Sequence, residues 1–201
     1  VAIGSTIGIT LGLIAGLRRG MISAVIMRYT DALMAFPALL LAILLLYVLR
    51  SSITTVIVVL AVSRVALFIR VTRAETLEIS SRNYVTASQA IGAPWPWVVR
   101  VHLLPTLLPT LVTLLAVEIA FTMLAESSLS FIGVGVQPPG ISWGLMVSQG
   151  REYLATQWWL ALWPGMAIVF TAISLNVLAN WLKTALDPRQ LWRLHALAKP
   201  K

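Results

Sequence analysis

Residues 84–105, YVTASQAIGAPWPWVVRVHLLP, form a kinked and partly polar stretch between two long apolar runs of the chain. Residues 81–91 are compatible with a helix, and Gly92 supplies a position at which φ can be positive. Pro94 suits the first turn of a second helix because it has no amide hydrogen to leave unpaired. The stretch therefore predicts two short helices that meet at a glycine, and we call residues 84–105 the elbow. The pattern alone leaves the elbow as either a packed re-entry segment or a rigid handle for a partner.

The composition places the chain in a membrane. Of its 201 residues, 59% are hydrophobic and 11% are charged. A soluble domain of this size cannot bury so many apolar residues in one core, so the composition predicts an integral membrane protein. The absence of cysteine is compatible with any compartment and decides nothing.

Five apolar runs reach or approach the length of about 17 to 20 residues that a spanning helix needs. Three runs carry no charge, whereas the third contains Arg64 and the fourth contains Glu118. They predict an all-α polytopic membrane protein with five spanning helices, forming a single domain over residues 1–201. The runs are residues 1–17, 32–49, 53–69, 103–125 and 153–182.

The net charge of +8 is distributed unevenly about these runs. Thirteen Lys and Arg residues fall on one side of the predicted membrane, against Arg50 and Arg151 on the other. Cytoplasmic loops are enriched in positive charge, so the elbow and the C-terminal tail are predicted to be cytoplasmic. The thirteen are Arg18, Arg19, Arg28, Arg64, Arg70, Arg73, Arg82, Arg100, Lys183, Arg189, Arg193, Lys199 and Lys201.

A glycine recurs at every fourth position of the first apolar run. Each glycine inside a helix costs about 1 kcal/mol relative to alanine, so five in register indicate close packing against another helix. A substrate-lining role for this stripe is the alternative. The glycines are Gly4, Gly8, Gly12, Gly16 and Gly20.

Glu118 lies roughly midway along its apolar run. Charges inside a membrane are costly and are functional candidates by default. Glu118 therefore either lines a translocation path or pairs with a neighbouring helix, and the sequence leaves both open. For Asp31 and Glu126, which lie near predicted helix ends, we expect structural bonds to backbone or to an arginine.

The elbow resembles the Glu-Ala-Ala loop of ABC-importer permeases, in which that tripeptide precedes three residues, a glycine, nine residues and a hydrophobic-x-Leu-Pro end. The sequences TAS at 86–88 and HLLP at 102–105 keep these spacings about Gly92. Thr86 replaces the glutamate and Ser88 the second alanine. A histidine in the hydrophobic slot is usual in the dipeptide, oligopeptide and nickel branch. By resemblance, the ATPase-coupling residues are Tyr84, Thr86, Ala87, Ser88, Ala90, Gly92, His102, Leu104 and Pro105.

Three further stretches resemble the same branch nearly residue by residue. They are DALMAFP at 31–37, LAESSLSFIGVGVQPPGISWGLMVSQGREYL at 124–154 and WLALWPGMAIVFTAISLNVLANWLKTALDPR at 159–189. The chain thus resembles the inner-membrane permease subunit of a dipeptide, oligopeptide or nickel ABC importer, of the second-permease type. The resemblance implies the type I transmembrane fold with six helices in the full subunit, so we expect this chain to lack an N-terminal part.

The resemblance also implies alternating access driven from outside the chain, for peptides or nickel complexes. The expected partners are a sister permease, two ATP-binding subunits, an extracytoplasmic substrate-binding protein and membrane lipid, without nucleic acid. ATP would be bound by the partner subunits, and no cofactor is expected here. The implied location is the bacterial or archaeal cytoplasmic membrane, with the C-terminus cytoplasmic. We expect the coupling loop at about 71–104, the outer loop at about 127–157 and the cytoplasmic tail at 183–201.

The motifs argue for a transporter subunit rather than an enzyme. Neither Gly-x-x-x-x-Gly-Lys-[Ser/Thr] nor His-Glu-x-x-His occurs in the sequence, so a nucleotide site of its own and a zinc protease site are not indicated. His102 has no second ligand at metal-binding spacing, which favours a packing role. The alternative function is a self-powered secondary transporter or channel, which needs buried ionisable groups as a relay.

Overall fold

The computed structural model describes residues 1–18, 20–49 and 52–186. Every regular element in this part of the chain is a helix, which confirms the all-α class; the tail from residue 187 onward lies outside the described residues. The elements are α1 (Ala2–Leu17), α2 (Met21–Met34), α3 (Ala38–Leu49), α4 (Ile53–Ser80), α5 (Asn83–Ala90), α6 (Trp95–Val98), a π-helical turn (Val99–Leu103), α7 (Leu104–Ile132), α8 (Trp143–Gly150), a 3-10 turn (Arg151–Tyr153), α9 (Leu154–Gln157) and α10 (Trp159–Leu186).

Three helical stretches are long and apolar enough to cross a membrane. They are α4, the continuous 38 residues Trp95–Ile132, and the 27 residues Trp159–Ala185 of α10. Together α2 and α3 pass the same test but are bent by 85°, so they add a fourth crossing if they form one broken span. The apolar helix α1 is shorter, with 16 residues. The polytopic membrane class is confirmed, whereas the number of five spans stays a prediction.

The expectation of one continuous helix over residues 32–49 is wrong. The helix α2 ends at Met34 and α3 begins at Ala38, with Pro37 between them. Proline lacks an amide hydrogen and disfavours helical backbone at the residue before it. The chain therefore breaks here although the sequence on the C-terminal side is uniformly apolar.

The glycine stripe of α1 lies directly against α4. A Cβ built on Gly8 would stand 2.5 Å from the Cβ of Phe68, and one built on Gly12 would stand 2.6 Å from the Cβ of Thr72. These separations are far below van der Waals contact, so the side chain of even an alanine would force the helices apart. The contacts advance along both helices together, so α1 and α4 run in parallel. They pair Gly4 with Ala61, Gly8 with Phe68, Gly12 with Thr72 and Gly16 with Thr76.

Gly20 does not belong to this stripe, contrary to expectation. It lies beyond the end of α1, at the residue that precedes α2, and a Cβ there would meet nothing within 4 Å. Its φ is +91°, a conformation that side-chain-bearing residues rarely adopt. Gly20 therefore serves the turn between α1 and α2 and makes no packing contact with α4.

The segment expected as an outer loop folds back onto the bundle. The helix α7 continues to Ile132 and ends at Gly133. After a loop, α8 packs against both α7 and α10. Gly144 of α8 lies so close to the backbone of Ser127 that no side chain would fit between them. This packing fixes α8 between two long helices at their shared end.

Candidate functional site

The elbow connects α4 to α7 through two short helices, as the sequence predicts. The first, α5, spans Asn83–Ala90, and the second, α6, spans Trp95–Val98. Gly92 between them has φ +89°, where an L side chain costs roughly 1–2 kcal/mol. The first helix is shorter than the expected 81–91 because Ser81 caps the end of α4, Arg82 is extended and Ile91 caps the end of α5. The elbow is thus a rigid, glycine-centred turn between two helical segments.

A single π-helical turn, Val99–Leu103, joins α6 to α7. Pro105 has no amide hydrogen, so the carbonyl of Val101 loses its usual donor and the helix widens locally. Leu104 opens α7 directly after this turn. The Leu-Pro end of the elbow motif therefore forms the start of a spanning helix.

A buried apolar cluster fixes the elbow to the spanning helices. Val85 of α5 and Val98 of α6 are fully buried and pack with side chains of α4, the π turn and α7. Full burial of a side chain of this size stabilises by about 1.5–3 kcal/mol. A displacement of the elbow is therefore coupled to a displacement of α4 and α7. The cluster consists of Ile79, Val85, Val98, Leu103, Leu107 and Leu111.

His102 lies at the centre of a small aromatic and polar cluster. Its Nε2 is 3.1 Å from the hydroxyl of Ser88. Its ring makes edge contacts with Tyr84 and Trp97, at centroid separations of 5.4 and 5.2 Å. Because the Ser88 hydroxyl donates its hydrogen to the Tyr84 carbonyl, the imidazole is the donor in its bond to Ser88. This geometry favours the packing role for His102.

The remaining motif residues of α5 lie on an exposed face. Thr86, Ala87 and Ala90 are exposed, and Ile91 at the end of the helix is 87% exposed. The Thr86 hydroxyl donates a 2.9 Å hydrogen bond to the carbonyl of Asn83, so its donor is used within α5. Small side chains around one projecting apolar residue, held on a rigid base, are suited to enter a cleft on another protein.

An ion pair orients the start of α5. The Arg82 guanidinium donates a 2.8 Å hydrogen bond to the Glu78 carboxylate, one helical turn earlier. This hydrogen bond to Glu78 raises the pKa of Arg82 above its usual value. Both side chains are accessible to water, so the pair contributes little to stability.

Glu118 is buried and paired, a relationship that the sequence leaves open. Its carboxylate lies 3.1 Å from a terminal nitrogen of Arg64, joining α7 to α4, and the two side chains are 5% and 18% exposed. Two charges that interrupt separate apolar runs therefore compensate each other where isolated charges are costly. Arg64 also lines a cavity of about 230 Å³ with Ser63 and Ser128. The pair links α4 to α7, and its arginine also reaches a cavity whose lining is mainly apolar.

Asp31 has the arginine partner expected of it, whereas Glu126 bonds a serine side chain instead of backbone or an arginine. The Asp31 carboxylate accepts a 2.7 Å hydrogen bond from Arg70. Glu126 accepts a 2.6 Å bond from the Ser130 hydroxyl, whose oxygen accepts the backbone amide of Val136. Asp31 thus links α2 to α4, and Glu126 supports the end of α7.

The sequence GISWG at 140–144 matches the Gly-x-Ser-x-Gly pattern of serine hydrolases. Ser142 precedes α8, and its hydroxyl oxygen accepts a hydrogen bond from the amide of Leu145. That oxygen therefore caps a helix, which is the ordinary role of serine at this position. The geometry gives Ser142 a structural role.

Two relationships at these sites are not predicted from the sequence. For the pairing of Arg64 with Glu118 a signal exists, because each charge interrupts an otherwise apolar run and the signs are opposite. For the contact of His102 with Tyr84 there is none, since helical periodicity does not extend across the turn at Gly92. Trp97 lies five residues before His102, a spacing outside the i,i+3 and i,i+4 neighbours of a regular α-helix.

Comparisons with known proteins place this arrangement among transport components. Residues 8–192 match a family described as the binding-protein-dependent transport system inner membrane component. A putative peptide transport system permease protein of Brucella suis biovar 1 is 40% identical over 82% of this chain and 55% of its own length. The probable D,D-dipeptide transport system permease protein DdpC of Escherichia coli K12 is 34% identical over 94% of this chain and 63% of its own.

The glutathione transport system permease protein GsiD of Escherichia coli O6:K15:H31 is 37% identical over 94% of this chain and 62% of its own length. The chain therefore spans between 55% and 63% of the length of these three relatives. All three are named as permease proteins of transport systems.

Proposed function

Because the chain belongs to the family of binding-protein-dependent transport system inner membrane components, we propose that it acts as a permease subunit of an ATP-driven importer. In this proposal the subunit opens alternately to the two sides of the membrane, and separate ATP-binding subunits supply the energy. The chain binds no nucleotide or other cofactor itself. It is a transporter subunit and not an enzyme.

The observation that carries the proposal is the construction of the elbow. Its exposed face holds Thr86, Ala87 and Ala90, while the opposite face is bonded through His102 and buried through Val85. A force applied to the exposed face is transmitted to α4 and α7, because the apolar cluster belongs to all of these elements. This is the mechanical property that a coupling segment needs.

The proposed partners follow from that property. An ATP-binding subunit docks on the exposed face of α5. Gly92 allows the turn after this helix, and the structure beneath the docking face includes Tyr84, Ser88, Leu104 and Pro105. A sister permease covers the remaining apolar surface, and a substrate-binding protein delivers substrate from the other side. The region of about 71–104 is the coupling loop, and about 127–157 is the outer segment. The proposed location is the bacterial or archaeal cytoplasmic membrane, with the elbow and the C-terminus cytoplasmic.

Peptides are the proposed substrate class. The relatives are named for peptide, D,D-dipeptide and glutathione transport. All of these are peptides or peptide-like molecules, and none of the three names refers to nickel. We therefore propose a peptide or peptide-like substrate and leave nickel complexes outside the proposal.

A self-powered transporter is the competing function. Such a protein needs ionisable groups that exchange a proton or cation during transport. In the described part of the chain, Glu118 is compensated by Arg64 at 3.1 Å. An acid held by an arginine is a poor relay, and this pairing supports the ATP-driven function.

Transport in reconstituted vesicles distinguishes the two functions. Vesicles that contain the subunit and its sister permease are compared with and without the ATP-binding subunits, in the presence of the substrate-binding protein and a radiolabelled dipeptide or glutathione. We expect uptake only with the ATP-binding subunits and ATP. Uptake driven by an ion gradient in vesicles without those subunits would establish the self-powered function instead.

A further inference from the structure

A cavity of about 300 Å³ lies where the end of α1, the start of α2 and the C-terminal part of α4 meet. Arg18 and Arg73 both line it. The buried hydroxyl of Ser23 donates a 2.8 Å bond to the carbonyl of Ala15 and accepts a 3.2 Å bond from Nε of Arg73. Ser23 thus fixes the Arg73 guanidinium at the wall of the cavity through Nε alone. The terminal nitrogens of Arg73 have no partner among the described residues.

The charge in this cavity is uncompensated, unlike that of the other arginines on α4. Arg64 and Arg70 are each paired with a carboxylate. Across residues 1–18, 20–49 and 52–186, neither Arg18 nor Arg73 forms an ion pair, and the cavity has no acidic residue in its lining. Arg18 is exposed and Arg73 is half-buried. Two like charges that line one cavity repel each other, which favours an anion beside them.

The chemistry of the lining selects the anion. Guanidinium groups bind phosphate through paired, charge-assisted hydrogen bonds. Met27 and Leu77 add apolar walls beside the two arginines, which suits a molecule that carries hydrocarbon next to its charge. Basic pockets between helices on the cytoplasmic side of a membrane are the kind of site that anionic lipid headgroups occupy.

We propose that the cavity between Arg18 and Arg73 binds an anionic phosphate group, and that a phospholipid of the inner leaflet supplies it. The cavity lies at the C-terminal end of α1, on the side of the protein where the positive charges cluster. The cavity is lined by residues of α1, α2 and α4 and by Gly20 in the turn between α1 and α2. A headgroup bound there would contact both sides of this turn and no residue of the elbow. The proposal does not depend on the identity of the transported substrate.

Binding of spin-labelled phosphatidylglycerol tests the site. The intact transporter is placed in phosphatidylcholine nanodiscs, and the fraction of labelled lipid immobilised by the protein gives a relative association constant. Each arginine near an anionic surface contributes an attraction that corresponds to roughly a fivefold change in association. We expect Arg73→Gln and Arg18→Gln each to lower the constant by about that factor, and Arg73→Lys to lower it less.

Two matched variants separate a specific site from general attraction. Arg28→Gln removes the same charge from an exposed position of α2 outside the cavity, and we expect no comparable loss. Ala24→Phe fills the cavity without changing the charge, and we expect the same loss as for Arg73→Gln. Equal losses in Arg28→Gln and Arg73→Gln, or unchanged binding in Ala24→Phe, would overturn the proposal.

A second arm identifies the source of the phosphate group. Glycerol phosphate is titrated into the transporter in nanodiscs of phosphatidylcholine alone, and heat release is measured. Weak or absent binding of this soluble ester, with cavity-dependent binding of phosphatidylglycerol, supports the lipid. Binding of the ester without any effect of the cavity variants on the lipid would overturn the lipid assignment. Release of the sister permease by Arg73→Gln would mean that a protein carboxylate occupies the cavity, and it would overturn the proposal.

Discussion

The imidazole of His102 lies 3.1 Å from the hydroxyl of Ser88 and ties the π-helical turn to α5 across the bend at Gly92. The same ring is flanked by Tyr84 and Trp97. One side chain therefore links three parts of the elbow that are separated in the sequence. The rigidity of the elbow depends on this local cluster as well as on the apolar base beneath it.

Replacement of His102 is expected to loosen α5. His102→Ala removes two aromatic contacts, each worth about 0.5–1.5 kcal/mol beyond area burial, and one hydrogen bond worth about 0.5–1.5 kcal/mol. In hydrogen exchange of the assembled transporter, amides of α5 should exchange faster, whereas those of α10 should not change. His102→Phe keeps the ring contacts and should give an intermediate rate. Unchanged exchange in His102→Ala would show that the apolar cluster alone holds the elbow.

The ion pair between Glu118 and Arg64 predicts a compensating double substitution. Loss of either partner leaves a buried charge and should cost about 3–5 kcal/mol. The double variant Arg64→Gln/Glu118→Gln removes both charges and should recover most of that stability, measured as the thermal unfolding midpoint of the solubilised transporter. Transport then distinguishes the two roles of Glu118. If stability returns but peptide uptake does not, the pair belongs to the translocation path, and if both return, it is structural.

The sequence is sufficient to predict the class, the long helices and the two-helix elbow, because apolar length and the glycine at position 92 are local properties. It is not sufficient to place the break at Pro37. The residues after Pro37 are uniformly apolar, so a search for apolar runs extends across the proline. The same limit applies to the glycine stripe. Period four includes Gly20, but the helix ends before that residue, and only the structure distinguishes packing from a turn.

Alanine at Gly12 tests the close approach of α1 to α4. Its Cβ would stand 2.6 Å from the Cβ of Thr72 and 2.8 Å from the carbonyl oxygen of Ile69, so the helices must separate. Overpacking of this kind typically costs about 1–3 kcal/mol, and the unfolding midpoint of the transporter should fall. Gly165→Ala in α10 is the matched control, because nothing lies within 4 Å of a Cβ there. It should leave stability unchanged or raise it by up to about 1 kcal/mol. Equal effects of the two substitutions would contradict the packing role.

Cysteine accessibility tests the proposed orientation. The chain has no cysteine of its own, so single introduced thiols report without background. Ala87→Cys on the exposed face of α5 should react with a membrane-impermeant maleimide only after the membrane is opened. Gln137→Cys in the outer segment should react in intact cells. The reverse pattern would place the elbow outside and would remove the basis for its coupling role.

Gly92 provides the sharpest test of coupling, because a side chain there would have room but would require an unfavourable backbone conformation. Its φ is +89° and a Cβ there would meet nothing within 4 Å. Valine is strongly disfavoured at such a φ, whereas asparagine tolerates it. Gly92→Val should therefore distort the elbow and reduce substrate-stimulated ATP hydrolysis and peptide uptake, and Gly92→Asn should retain most of both.

Co-purification of the ATP-binding subunits and normal membrane insertion must accompany these assays, so that a lost complex is not mistaken for lost coupling. At the exposed Thr86, a glutamate would add one accessible charge, and an ion pair formed there contributes only about 0–1 kcal/mol. Thr86→Glu should thus be tolerated and serves as a control for substitution on the docking face. If Gly92→Val transports peptide at the unmodified rate with the complex intact, the elbow does not couple ATP hydrolysis to the movement of α4 and α7.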